Sequence, residues 1–108
     1  MDYINFLKED NAVDQVLVQF NEQIDSTFQQ QNLQEQVENI SRDLSKPLII
    51  DEKVYYTVHQ APWHLVTQKG GCCIIKKEGV LVIASYDETK DQNPSRFRRR
   101  MSLLDKII

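Results

Sequence analysis

Glycine and proline are scarce in this sequence, three of each, and the glycines fall at two places only, Gly70-Gly71 and Gly79. Nothing of the G-x-x-x-x-G-K-S/T or G-x-G-x-x-G kind is present, so the common phosphate-cradling loops are excluded. Cysteine is limited to the adjacent pair Cys72-Cys73. Neighbours on a strand point to opposite faces and cannot readily bridge; there is no C-x-x-C and no other cysteine to complete a zinc site. The expectation is one buried thiol and one exposed thiol in a reducing cytosol. The two histidines, His59 and His64, flank Pro62 without an Asp, Glu or Cys at ligand spacing. No Ser, Cys or Lys stands in a nucleophile motif. No catalytic residue, metal or cofactor is assigned, and the chain reads as a non-enzyme. No apolar run approaches the roughly 18 residues of a membrane span, and Met1-Asp2-Tyr3 lacks the basic start of a secretory signal, so a cytoplasmic protein is expected.

Charge is unevenly placed. Residues 1–50 hold nine acids against Lys8, Arg42 and Lys46, a net of −6, while residues 51–108 hold ten bases against seven acids, a net of +3. The densest basic run is Arg96, Arg98, Arg99 and Arg100. Such a run suits an acidic protein, a phosphoinositide headgroup or nucleic acid, and by default is a solvated helix face.

With 108 residues the chain fits one domain, 1–108, with a single core. Asp2 is placed to cap a short helix to about residue 9, with Tyr3, Phe6 and Leu7 on one side. Residues 13–20 read as a strand apolar on both faces, and residues 24–29 as its partner after a turn at Asn21. Asn32 with Glu35 starts a helix whose stripe is Leu33, Val37, Ile40 and Leu44, ended by Pro47. A short segment at 48–50 and strands near 53–59, 63–68, 71–76 and 80–86 follow, joined by connections short enough for an antiparallel meander. Asn93 as cap and Pro94 as first residue open a last helix with Phe97, Met101, Leu104 and Ile108 at helical spacing.

The stretch QKGGCCIIKKEGVLVIASYDE, residues 68–88, is the most specific part of the chain. A Gly pair, alternating apolar residues, Lys-Lys-x-Gly, an apolar strand, Tyr86 and two acids in that order resemble the penultimate hairpin of the profilins, small actin-monomer-binding proteins. YYTVHQAP, residues 55–62, resembles the family's strand and Pro-containing turn ahead of that hairpin. LLDKII, residues 103–108, resembles its Leu-Gly-Asp-Tyr-Leu-Ile pattern. The resemblance covers nearly the whole chain, with shorter loops around Asn21 and before Gly70. It implies an α+β fold: a central antiparallel sheet of about seven strands, the N- and C-terminal helices on one face and the middle helix on the other.

The resemblance also implies partners and sites. An actin-facing surface on the meander and the start of the last helix would comprise Val58, Gln60, Lys69, Lys76, Lys77, Arg96, Phe97, Arg100 and Met101. Thr67 stands where the family often has Arg. Proline-rich peptides would lie in an aromatic groove formed by Tyr3, Phe6 and Phe28, because a polyproline II ligand is already extended and loses little entropy on stacking. Lys106 stands where the family's last helix offers an aromatic or His, which predicts weak peptide affinity. Acidic phosphoinositide lipids would meet Arg98, Arg99 and Arg100. A cytoskeleton-associated monomer that regulates actin polymerisation and nucleotide exchange is the implied function, and no nucleic acid is expected. The alternative is a roadblock-type dimerising scaffold, which has a similar element order. The extra strand pair over residues 53–68 and the aromatic N-terminal helix weigh against it.

Overall fold

In the computed structural model, residues 2–60, 63–67, 70–90 and 94–108 are described. Short-range signals account for the three helices. Asp2 caps α1 (Tyr3–Lys8), its carboxylate accepting from the Asn5 backbone amide at 3.2 Å and from the Asn5 side chain at 2.7 Å. The second helix, α2 (Leu33–Arg42), buries Leu33, Val37 and Ile40 along one stripe. Its leading Asn32 makes no side-chain cap. The Asn32 carboxamide oxygen instead accepts from the side chains of Gln30 at 2.7 Å and Gln36 at 3.2 Å. Phe97, Met101 and Leu104 form the buried stripe of α3 (Pro94–Ile107). Its expected cap, Asn93, lies outside the described residues.

Seven strands form one antiparallel, curled sheet: β1 (Val13–Phe20), β2 (Gln23–Ser26), β3 (Leu48–Ile50), β4 (Lys53–Gln60), β5 (Trp63–Thr67), β6 (Gly70–Lys77) and β7 (Val80–Asp87). Their spatial order is β2-β1-β7-β6-β5-β4-β3. Chain neighbours pair by hairpins, and the pairing of β1 with β7 joins the N-terminal hairpin to the meander. Strand β2 stops at Ser26, short of the expected residue 29; just beyond it the Thr27 hydroxyl accepts from the Val16 amide at 2.9 Å while the Thr27 amide donates to the Val16 carbonyl at 2.9 Å. The β3–β4 turn carries Asp51 at φ 48° and Glu52 at φ 68°. Two successive positive φ values give the right-twisted two-residue hairpin, at some cost for a side chain as long as glutamate.

Strand alternation sorts the core into two clusters, one per face. Val16, Val18, Cys73, Ile75, Val82 and Ala84 meet Leu7 of α1 and Phe97, Met101 and Leu104 of α3. Leu17, Leu65, Cys72, Ile74, Leu81 and Ile83 meet Leu33, Val37 and Ile40 of α2. The terminal helices therefore share one face and the middle helix covers the other, the α+β, profilin-like arrangement. One expectation is corrected: Cys72 and Cys73 are both buried, at 0% and 1% exposure. They do point to opposite faces, but helices cover both faces at that position.

The Gly pair is a packing requirement. A Cβ on Gly70 would stand 2.3 Å from the Tyr86 carbonyl oxygen, inside the β6–β7 ladder. Backbone cannot yield there as a side chain would, so Gly70→Ala is expected to cost about 1–3 kcal/mol. Urea denaturation checks this; an unchanged midpoint would mean that the ladder opens freely at β6.

Candidate interaction surface

The face that carries α1 and α3 holds the chain's aromatic cluster, because α1 rests on β1 and presents Tyr3 and Phe6 beside the end of that strand. The Tyr3 ring lies 5.3 Å from that of Phe20, centroid to centroid, at 32°. Phe20 is 37% exposed. Phe28 lies elsewhere: it packs against the α2 cluster on the opposite face. The expected trio of Tyr3, Phe6 and Phe28 is therefore corrected, with Phe20 as the aromatic that adjoins Tyr3. Its place at the even, helix-side end of β1, with Val16 and Val18, was a readable signal.

The arginine run of α3 does not form one solvated patch. Arg100 turns back onto α1, donating to the Phe6 carbonyl at 3.0 Å, lying 5.3 Å from the Phe6 ring centroid and pairing with Glu9 at 3.5 Å. Arg98 is half-buried with its Nε sealed from solvent, close enough to Cys73 and Tyr86 for its charge to bear on both. Only Arg96 and Arg99 of the four are exposed. As free lipid contacts, Arg98 and Arg100 are thus corrected, since helical spacing sends consecutive residues to different sides of α3.

The actin-facing set is also divided by the fold. Phe97 and Met101 are 1% and 0% exposed and belong to the core beneath α3. They are corrected from contact residues to packing residues. Lys76 pairs with Glu38 of α2 at 3.0 Å, while Lys77 reaches the end of α3, pairing with Asp105 at 3.5 Å and donating to the Asp105 and Ile108 carbonyls. Adjacent on β6, the two lysines serve opposite faces. Arg96 is exposed, and Val58 is 50% exposed at an irregularity of β4. Lys69 and the side chain of Gln60 lie outside the described residues.

A surface that the motifs did not indicate stands on β3 and β4. Tyr55 points into the α2 cluster, so its neighbours Val54 and Tyr56 must point to the terminal-helix side. There α1 rests on β1 and α3 on β6, while the β4 side chains on that side stay open to solvent. Val54 and Tyr56 are 37% and 57% exposed; Ile49, paired with Val54, is 44% exposed, and half-buried Val66 pairs with Tyr56. The result is a contiguous apolar strip around a tyrosine. Period-two alternation in KVYYTV carried the signal, but which face would be left bare was not readable from it.

The free edge of β3 is closed. Gln36 accepts from the Ile49 amide at 2.6 Å and donates to the Ile49 carbonyl at 2.9 Å, while Gln30 donates to that carbonyl at 2.6 Å and accepts from the Asp51 amide at 3.2 Å. Two side-chain amides occupy the positions a further strand would need.

Reactive chemistry is weakly provided for. Burial pushes the Cys73 thiol up to about 12 and holds the Cys72 thiol well above its ordinary value, so both stay protonated and poor as nucleophiles. His59 and His64 are opposite each other in the β4–β5 ladder. His64 is buried, with Nε2 3.3 Å from the Tyr86 hydroxyl and its ring stacked on Tyr86. No three described His, Cys, Asp or Glu side chains are grouped to hold a metal ion. Comparison with family models, curated proteins and solved structures found no match to this chain.

The unequal duties of the arginines give a direct test. Arg100→Ala is expected to lower stability by about 1–2 kcal/mol through loss of its carbonyl hydrogen bond and ring contact with Phe6. Arg99→Ala should stay within about 0.5 kcal/mol of the parent, as an exposed substitution. Equal urea midpoints for the two variants would contradict the docking of α1 through Arg100.

Proposed function

We propose that this chain is an actin-monomer-binding protein that regulates actin polymerisation and nucleotide exchange by non-covalent capture of the monomer. The observation that carries the reading is the uncovered apolar strip of Ile49, Val54, Tyr56 and Val66 with Val58 nearby, on the meander of a profilin-like sheet. The meander is where the family resemblance puts the actin contact. A tyrosine at the centre of a small apolar area is a frequent energetic anchor of protein interfaces. Arg96, exposed at the start of α3, supplies positive charge for a partner rich in acids.

Two accessory activities belong to the same reading. Tyr3, Phe6 and Phe20 offer ring faces to proline-rich peptides, at weak affinity given Lys106 on α3. Arg96 and Arg99, rather than the full arginine run, are left for acidic phosphoinositides, so attraction to such lipids is weak and screened by salt. The Gln30 and Gln36 amides close the β3 edge to a sheet shared between two copies, which removes that one route for the dimerising-scaffold alternative; the other outer strand, β2, is exposed.

The protein at stoichiometric concentration is expected to slow spontaneous nucleation of actin in a pyrene-fluorescence assay, and Tyr56→Asp should weaken the complex by about tenfold or more with unchanged far-UV circular dichroism. Unaltered nucleation, with no complex on gel filtration, would sink the function and leave the fold intact. A second measurement addresses the aromatic cluster: decaproline at millimolar concentration should shift the NMR signals of Tyr3, Phe6 and Phe20 and leave Phe28 unmoved. Shifts confined to Phe28, or none, would assign the cluster to packing alone.

A further inference from the structure

On the α2 face of the sheet, the start of β1, the β3–β4 turn and the ends of β5, β6 and β7 surround a cavity of about 400 Å³. That is within the size range of small-ligand sites. Tyr55 lines it and is 5% exposed, yet its hydroxyl forms no hydrogen bond with any described residue. The hydroxyl is not sealed as the unpartnered Thr57 and Arg98 atoms are; it opens on the cavity, where an incoming donor can reach it. Burial first, then Cys72 and the carboxylates of Asp14, Asp51 and Asp87, push this phenol up to about 12, so it stays neutral and keeps a lone pair to offer.

The same three carboxylates line the cavity, against the single base Lys53. Lys90 pairs with Asp14 at 2.9 Å, and Asp87 accepts from the Thr89 amide at 2.9 Å and hydroxyl at 2.6 Å. The Asp51 carboxylate has no hydrogen bond or ion pair among the described residues, and it is carried on a turn with φ 48°. The acids are not gathered closely enough to share one metal ion. Negative charge spread around a neutral acceptor suits a larger cation with several N–H donors.

We propose that this cavity binds the alkylammonium group of an organic amine, which donates to the Tyr55 hydroxyl and is held by the charges of Asp51, Asp87 and Asp14. The amine is either a free aliphatic diamine or the lysine side chain of a partner protein; both present the same head group on an apolar stem. This site is separate from the strip on β3 and β4, which faces the other side of the sheet, so either can fail alone.

The test is titration of the intact protein, followed by NMR, with 1,5-diaminopentane, with the tripeptide Gly-Lys-Gly and with glutarate as a dicarboxylate control. Saturable shifts of Tyr55 and Gly70 with the diamine, the peptide or both are expected, weaker in high salt and absent with glutarate. Preference between diamine and peptide identifies the source. Tyr55→Phe removes only a partnerless hydroxyl and should leave the thermal melt intact while weakening binding about fivefold. Asp51→Asn, on an exposed turn, should weaken it by a similar factor. Absence of saturation at about 20 mM amine, equal shifts with glutarate, or full binding by both variants would overturn the proposal.

Discussion

The structure depends on strands that are buried on both faces. From Gly70 to Ile75 on β6 and from Leu81 to Tyr86 on β7 every residue is buried, and β1 packs beside them with Val16, Leu17 and Val18. No one-sided sheet can satisfy such a run, because half of its apolar area would stay in water at about 25 cal/mol for each Å². Helices are therefore required above and below. The chain supplies α1 and α3 to one side and α2 to the other, and the remaining geometry follows from where those helices run out.

They run out unequally. On the α2 side the helix reaches the edge strand β3 and closes it with Gln36, so the sheet ends cleanly there. On the opposite side α1 and α3 stop over β1 and β6, leaving the outer meander bare around Tyr56. A surface that is apolar, contiguous and supported by a rigid sheet is preorganised for a partner and loses little entropy on docking. The β3 edge beside it is closed to strand addition, while β2 at the far edge of the sheet stays exposed.

Charge is used in a similarly divided way. The basic half of the chain spends much of its charge internally: Lys76 on α2, Lys77 on the end of α3, Arg100 on α1. These contacts link each helix to a neighbouring element. The acids near the β3–β4 turn stay more open, and Asp51 in particular remains uncompensated beside the buried Tyr55 phenol.

Much of this was determined by sequence alone. Helices on both faces followed from the family resemblance. Local rules sufficed for β1 at Val13–Phe20, for the Gly70-Gly71 and Gly79 hairpin, for the buried stripe of α3 and for the start of the α2 stripe, though α2 ends at Arg42 and leaves Leu44 and Pro47 beyond it. They sufficed because turns, caps and periodicity act over a few residues. Side-chain duty was another matter. That Cys72 and Cys73 are both covered, that Phe28 and Tyr3 lie on opposite faces, that Phe97 and Met101 are core, and that Arg98, Arg99 and Arg100 go three different ways depends on which face each strand turns to which helix. The bare strip around Tyr56 and the cavity at Tyr55 belong to the same class. Adjacent in sequence, those two tyrosines look alike until the pleat sends one inward beneath α2 and the other beyond the reach of α3.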